Sequence, residues 1–176
     1  MASLFFIFIT LVLAGAVLFL IIEFYVVIIG EFFGAPYVKS KKDKIKTMLE
    51  LAQIKPGEKV IDLGSGDGSL VTEAAGRGAE AIGVEINPFL VWYSRWRIKK
   101  ANLQDKTKII RGDFRNFSLD QANVVFLYLW PETVAKLKEK LIRELRPGAR
   151  VISNGFPLAG WHPQAAENGV FLYRRR

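Results

Sequence analysis

Three short segments of this sequence hold residues suited to chemistry. The first is Val60-Ile61-Asp62-Leu63-Gly64-Ser65-Gly66-Asp67-Gly68. Glycines let a backbone turn sharply and approach a ligand with no side chain in the way. A helix that starts after such a turn presents N–H groups to a carboxylate or phosphate. The second is Glu85, whose carboxylate can accept hydrogen bonds from the two hydroxyls of a ribose. The third is Arg111-Gly112-Asp113-Phe114. There the Asp113 carboxylate suits an adenine amino group and the Phe114 ring suits an adenine face. Together the three describe a site for a molecule containing adenosine.

The glycine spacing narrows the choice. A dinucleotide fingerprint requires Gly-x-Gly-x-x-Gly. The segment Gly64-Ser65-Gly66-Asp67-Gly68-Ser69 brings its third glycine one place early. Asp62 and Asp67 would repel a pyrophosphate and suit a cationic sulfonium with a zwitterionic methionine tail. No Gly-Lys-Ser/Thr follows, which excludes a nucleotide triphosphate loop. There is no cysteine, so a disulfide framework, a thiolate zinc site and a cysteine nucleophile are excluded together. A single histidine, His162, leaves neither a histidine-rich metal site nor a Ser-His-Asp triad. No metal is expected.

These segments need elements to hold them. Apolar residues at Ile45, Met48, Leu49 and Ala52 mark an amphipathic helix over 41–53 that Pro56-Gly57 ends. A strand is predicted at Lys59–Leu63, a helix at Ser69–Gly76 and a strand at Ala81–Val84. Asn87 caps a helix that Pro88 opens and that runs to about Ala101. Strands follow at Lys108–Ile110 and Ala122–Leu129, then a helix from Pro131 to about Leu145, and strands at Ala149–Asn154 and Val170–Arg174. Strands alternating with helices imply a doubly wound α/β sheet, and the chemical segments then fall at successive C-terminal strand ends, where open sheets bind ligands. The segment 156–169 shows no helical period. A parallel crossover normally needs a helix, so the last strand is expected to pair antiparallel with the fifth. The expected order is 3-2-1-4-5 with that strand at the edge, six strands in all.

The chain has 176 residues and a net charge of +8, but its charge is unevenly placed. No Lys or Arg precedes Lys39, and the only acids before it are Glu23 and Glu31. Residues 1–38 thus read as an apolar anchor with its link, and 39–176 as one basic globular domain. Leu4–Ile22 is uncharged and, at ~1.5 Å per residue, matches the ~30 Å hydrocarbon core of a bilayer. It lacks the basic start and short apolar core of a signal peptide. Glu23 falls at the end of this run, and Phe24–Ile29 can extend the run beyond it. Lys39, Lys41, Lys42, Lys44 and Lys46 follow it, which places the domain on the cytoplasmic side and against anionic headgroups. Trp92, Tyr93 and Trp96 read as packing or membrane-interface residues.

Asp62-Leu63-Gly64-Ser65-Gly66-Asp67-Gly68 with Glu85 and Asp113 resembles a class I S-adenosylmethionine-dependent methyltransferase. Gly83-Val84-Glu85-Ile86-Asn87-Pro88-Phe89-Leu90-Val91-Trp92-Tyr93-Ser94-Arg95 is similar to a small membrane-anchored lysine methyltransferase family. Its eukaryotic members modify the ATP synthase c-subunit and the adenine nucleotide translocator. Ala35-Pro36-Tyr37-Val38, Asn123-Val124-Val125 and Arg150-Val151-Ile152 through Trp161-x-Pro163 match that pattern too. The resemblance implies a Rossmann-like sheet and S-adenosyl-L-methionine as cofactor. It implies cofactor contacts at Asp62, Gly64, Ser65, Gly66, Glu85, Ile86, Asp113 and Phe114. Tyr37, Tyr128, Trp130 and Pro131 are the candidates for an acceptor pocket; aromatic walls suit a lysine side chain, and Tyr128 and Trp130 can equally cap the core. The implied substrate is a membrane protein, in the cytoplasmic or, in a eukaryote, the mitochondrial inner membrane. A lipid, quinone or small-molecule methyltransferase and a non-enzymatic cofactor-binding scaffold are the alternatives. The basic charge also raises nucleic-acid methylation, but much of that charge lies next to the span, and no nucleic-acid partner is expected.

Overall fold

A computed structural model describes residues 2–33 and 38–176. Two compact units divide the chain, Met1–Tyr37 and Val38–Arg176. The first is one helix, α1 (Ala2–Phe33). Within it Phe5–Tyr25 is long and apolar enough to cross a membrane, and none of that stretch is buried. It reaches beyond Leu4–Ile22 to Tyr25 and so includes Glu23, within the extension that Phe24–Ile29 allows.

The second unit is a seven-stranded sheet with helices on both faces. Its elements are α2 (Lys42–Ala52), β1 (Lys59–Leu63), α3 (Ser69–Gly76), β2 (Glu80–Glu85), α4 (Pro88–Lys100) and β3 (Thr107–Arg111). A 3-10 turn at Phe114–Asn116, β4 (Val124–Leu127), α5 (Pro131–Glu144), β5 (Arg150–Asn154), β6 (Ala165–Glu167) and β7 (Val170–Arg174) complete it. The strand order is β3-β2-β1-β4-β5-β7-β6. The first five strands are parallel, and β7 runs antiparallel to β5 with Val151 opposite Tyr173.

Alternation along the strands builds two cores. Val60, Ile109, Phe126 and Ile152 face α2, α3 and α4, and meet Met48, Val71, Val91 and Ile98. Ile61, Leu63, Val125 and Val151 face α5 and meet Val134, Leu137 and Leu141, whose i, i+3, i+7 spacing is the buried stripe of that helix. Asn87 caps α4 as expected, its side chain accepting from the Phe89 and Leu90 N–H groups.

Two expectations need correction. The fourth strand is shorter than 122–129. Beyond Leu63, the partner of Leu127, β1 turns away. Leu129 then folds over Gly64 and Pro131 opens α5, so the chain leaves the ladder. The sheet also has one more strand than expected, because β6 pairs with β7 through Glu167 opposite Val170. Asn168 and Gly169 join them, with φ of 48° and 63°, the left-handed pair that a two-residue hairpin requires. The last strand is therefore internal, and β6 forms the edge.

Candidate active site

Asp62, Glu85 and Asp113 stand at the C-terminal ends of three adjacent strands, β1, β2 and β3. The loop after β1 carries Gly64, Gly66 and Gly68, all at positive φ. At Gly68 the reason is double. It holds φ 70°, and a Cβ there would lie 2.7 Å from Ser94 Cβ, so only glycine fits between loop and α4. Gly83, opposite Asp62 on β2, makes the second close approach. A Cβ on it would meet Ser65 Oγ at 2.5 Å. The Ser65 hydroxyl is thus turned against β2, buried and without a hydrogen-bond partner. Ser65 thereby fills the space that Gly83 leaves open on β2.

Glu85 is buried and both its oxygens are held by backbone donors. Gly66 N–H donates to Oε2 at 2.9 Å, while Ile86 N–H and Asn87 N–H donate to Oε1 at 2.9 and 2.8 Å. The carboxylate is immobilised at the strand end and keeps acceptor capacity beyond these bonds. The same region uses two of the N–H groups that the loop and helix start were expected to offer a ligand. The Gly66 N–H goes to Glu85, and the Ser69 N–H goes to Asp67 Oδ1 at 3.1 Å.

Asp62 is buried and has no hydrogen-bond partner among the described residues. Burial, then the neighbouring charges of Glu85 and Asp67, push its carboxyl up to about 7. Such a group calls for a cation. Asp67, expected to share that role, does not. Its Oδ2 receives Arg97 at 2.7 Å and its Oδ1 receives the Ser69 hydroxyl at 2.7 Å, so its charge is already answered on the α4 side.

Asp113 accepts from Arg115 Nε at 2.9 and 2.8 Å and pairs with the terminal nitrogen at 2.6 Å. Those bonds hold its carboxyl below the usual range. Phe114 is half-buried against the α5-side core. Ile86 is half-buried beside Glu85. At the β4 exit, Tyr128 and Trp130 are exposed, and Pro131 is the first residue of α5. Gly155, after β5, faces the Tyr128 ring, with room for a Cβ at 3.6 Å. Tyr37 lies outside the described residues.

Three further residues shape the site and carry little or no signal in the sequence. Ser94, fully buried in α4, donates to the Gly66 carbonyl at 3.0 Å. Arg97 clamps Asp67 from one turn further on, and Arg115 holds Asp113. Ser94 has a faint signal, a small polar residue on the buried stripe of α4. The two arginines act through the folded arrangement and leave none. The set of residues fits a cationic adenosine molecule: one buried carboxylate unanswered among the described residues, one rigid carboxylate acceptor and a glycine turn between them.

Comparison with known proteins gives the site a family. The model of the ANTKMT methyltransferase domain matches residues 62–165. A lysine N-methyltransferase of the ATP synthase c-subunit, from Xenopus laevis, is 37% identical over 73% of this chain and 56% of its own length. The chain therefore spans about half the length of that relative. A protein-lysine N-methyltransferase of Saccharolobus islandicus is 35% identical over 78% of this chain and 92% of its own length. Among solved structures, an RNA methyltransferase from Salinibacter ruber in complex with S-adenosyl-L-homocysteine superposes with a TM-score of 0.73. It is 37% identical and covers 78% of this chain and 92% of its own. With a family model covering residues 62–165 and an archaeal relative matched over nearly its full length, the chain belongs to the ANTKMT methyltransferase domain family.

Proposed function

We propose that this protein is a membrane-anchored, S-adenosyl-L-methionine-dependent protein-lysine N-methyltransferase whose substrates are membrane proteins. The observation that carries the reading is the Asp62 carboxylate, buried and unpaired among the described residues, beneath a glycine turn and beside the rigid Glu85. A cation seated there answers a charge the protein leaves open. The cofactor supplies a methyl carbon already activated by a positively charged sulfur, so the protein's work is binding and alignment. Asp62 complements the positive charge. Glu85, fixed by three backbone donors, accepts from hydroxyls. Asp113 and Phe114 border the adenine end, with Ile86 as an apolar wall. Gly64 and Gly66 keep side chains out of the crevice. At the β4 exit Tyr128 and Trp130, ahead of Pro131, offer aromatic faces to a lysine side chain. Desolvation there lowers the amine pKa and raises its neutral, nucleophilic fraction.

Membrane attachment rests on α1, whose Phe5–Tyr25 stretch has the length and composition of a span. The basic residues that follow support a domain on the cytoplasmic side by the positive-inside rule. Lys39, Lys41 and Lys42 are exposed and suit anionic headgroups. Lys44 bonds the Asn168 carbonyl, and Lys46 pairs with Glu50.

A second reading follows from the Salinibacter ruber structure, described as an RNA methyltransferase. Against it, the β4 exit reads Tyr128-Leu129-Trp130-Pro131, without the Asp/Asn-Pro-Pro-aromatic pattern of base amino-methylation. Incubating the full chain with labelled cofactor, native membranes and total RNA separates the readings. Label in a protein band, lost when the acceptor lysine is changed to arginine, is expected. Label in RNA establishes the second reading, label in the organic extract a lipid or quinone acceptor. No label anywhere would leave a cofactor-binding scaffold.

A further inference from the structure

Helix α4 has two apolar faces, and the fold uses one. Val91, Ser94 and Ile98 are buried against the sheet and the glycine loop. On the other side Phe89, Trp92 and Trp96 stand 64%, 61% and 48% exposed, at the i, i+3, i+7 spacing of a single stripe. Their rings are ordered without burial. Phe89 and Trp92 are 5.9 Å apart and Tyr93 and Trp96 5.6 Å. Large aromatic side chains left in water on one face mark an interaction surface.

The charges on the helix select the partner. No acidic residue occurs between Glu85 and Asp105. Arg95, Lys99 and Lys100 are exposed on the same helix, and the Lys100 ammonium lies 5.3 Å from the Trp96 ring centre. Trp beside Lys and Arg is the composition of a bilayer interface, with rings at headgroup depth and cations among phosphates. A protein partner would be met as well by the rings, but it gives no reason for a helix of 13 residues with basic and no acidic side chains.

We propose that the outer face of α4 seats on an anionic lipid surface, with Phe89, Trp92 and Trp96 at headgroup depth and Lys99 and Lys100 among the phosphates. The contact is distinct from the span and rests on the membrane location proposed above. It has a geometric consequence. The inner face of the same helix holds the glycine loop through Ser94 and Arg97, and Pro88 follows the strand end that carries Glu85. A domain seated this way keeps its candidate site at the level of the bilayer surface. Each basic side chain near such a surface contributes about fivefold in partition.

The test uses the full chain in liposomes of phosphatidylcholine, with or without phosphatidylglycerol, containing lipids brominated near the headgroup. All four tryptophans, Trp92, Trp96, Trp130 and Trp161, belong to the globular unit, so the span contributes no tryptophan emission. In anionic liposomes the expected result is strong quenching that largely disappears in the Trp92→Phe/Trp96→Phe variant. The same quenching should fall severalfold in Lys99→Glu/Lys100→Glu and in phosphatidylcholine alone. A chain that floats with the liposomes but is unquenched overturns the α4 contact and leaves the anchor standing. Undiminished quenching in the Trp92→Phe/Trp96→Phe variant also overturns it, since the contact would then lie at Trp130 or Trp161. A chain that does not float with the liposomes overturns the membrane location itself.

Discussion

The Gly66 N–H donates to Glu85 Oε2 at 2.9 Å, so the turn after β1 is held by the carboxylate that ends β2. One side chain thereby shapes the glycine loop and, under the proposed function, also presents an acceptor to the cofactor. Glu85→Gln cannot preserve both. One oxygen becomes an NH2 group that must face backbone donors, whichever way the amide turns. Both Glu85→Gln and Glu85→Ala are expected to weaken S-adenosylhomocysteine binding at least tenfold, at ~1.5–3 kcal/mol per lost charged hydrogen bond. Isothermal calorimetry on the detergent-solubilised chain measures this. A Gln variant that binds like the parent would show that Glu85 does not touch the ligand and that the loop tolerates its loss.

Asp62 gives a pH signature. Its carboxyl is raised from 3.8 to about 7. Between those values the folded, ligand-free protein keeps a proton that the unfolded chain has lost, so its stability falls as pH rises through that window and levels off above it. The effect is on the order of 4 kcal/mol or less. Asp62→Asn removes this dependence. The variant is expected to melt increasingly higher than the parent between pH 4 and pH 7, and to keep that margin at pH 8. Cofactor binding runs the other way, because a cation needs the ionised form. Affinity of the parent for S-adenosylmethionine should rise through neutral pH, with proton release detectable as a buffer-dependent enthalpy. The Asn variant should lose both the affinity and the release. Equal melting of parent and variant across the window would contradict an unpaired buried carboxylate.

Gly83 tests the packing beneath the loop. A Cβ there would lie 2.5 Å from Ser65 Oγ, 2.7 Å from Ser65 Cβ and 2.7 Å from Ile109 Cδ1, so Gly83→Ala must displace the loop, the core or both. Overpacking of this kind costs ~1–3 kcal/mol. Thermal melting should show that loss, and cofactor affinity should fall with it. Adding Ser65→Gly to Gly83→Ala removes two of the three close contacts and should return part of the stability. No recovery would place the strain at Ile109 instead.

What the sequence conveys depends on how local the cause is. The Asn87 cap, Pro88 at the first helical position and the bounds of β1, α3 and β7 all follow from neighbouring residues, and they stand as predicted. Ala165–Glu167 carries no strand signal of its own, because Ala-Ala-Glu has no apolar alternation. The deciding feature is the Asn168-Gly169 pair, which forms the hairpin whatever the strand's composition. The fourth strand's apolar run continues to Leu129 and overstates its length, since the burial of Leu129 over Gly64 is tertiary. The acids are legible as a set but not in their division of labour. Asp67 is answered by Arg97, thirty residues away, and Asp113 by Arg115, whereas Asp62 is answered by nothing among the described residues. Only the folded arrangement shows which of these carboxylates already has an arginine partner and which has none among the described residues.

Deleting Met1–Gly34 separates targeting from chemistry. The unit Val38–Arg176 holds both apolar cores, so the truncated chain is expected to fold. The proposed attachment to the bilayer would confine enzyme and membrane substrate to one surface, and tethering by a short linker raises effective concentration to the ~mM range. A soluble peptide bearing the acceptor lysine gains nothing from that confinement. Activity of the truncated chain should therefore drop steeply on the native membrane protein and change little on the peptide, with labelled cofactor counting both products. Equal loss on both substrates, with an unchanged circular dichroism spectrum, would mean that the leader acts on catalysis itself. No loss on either would remove the anchor from substrate selection.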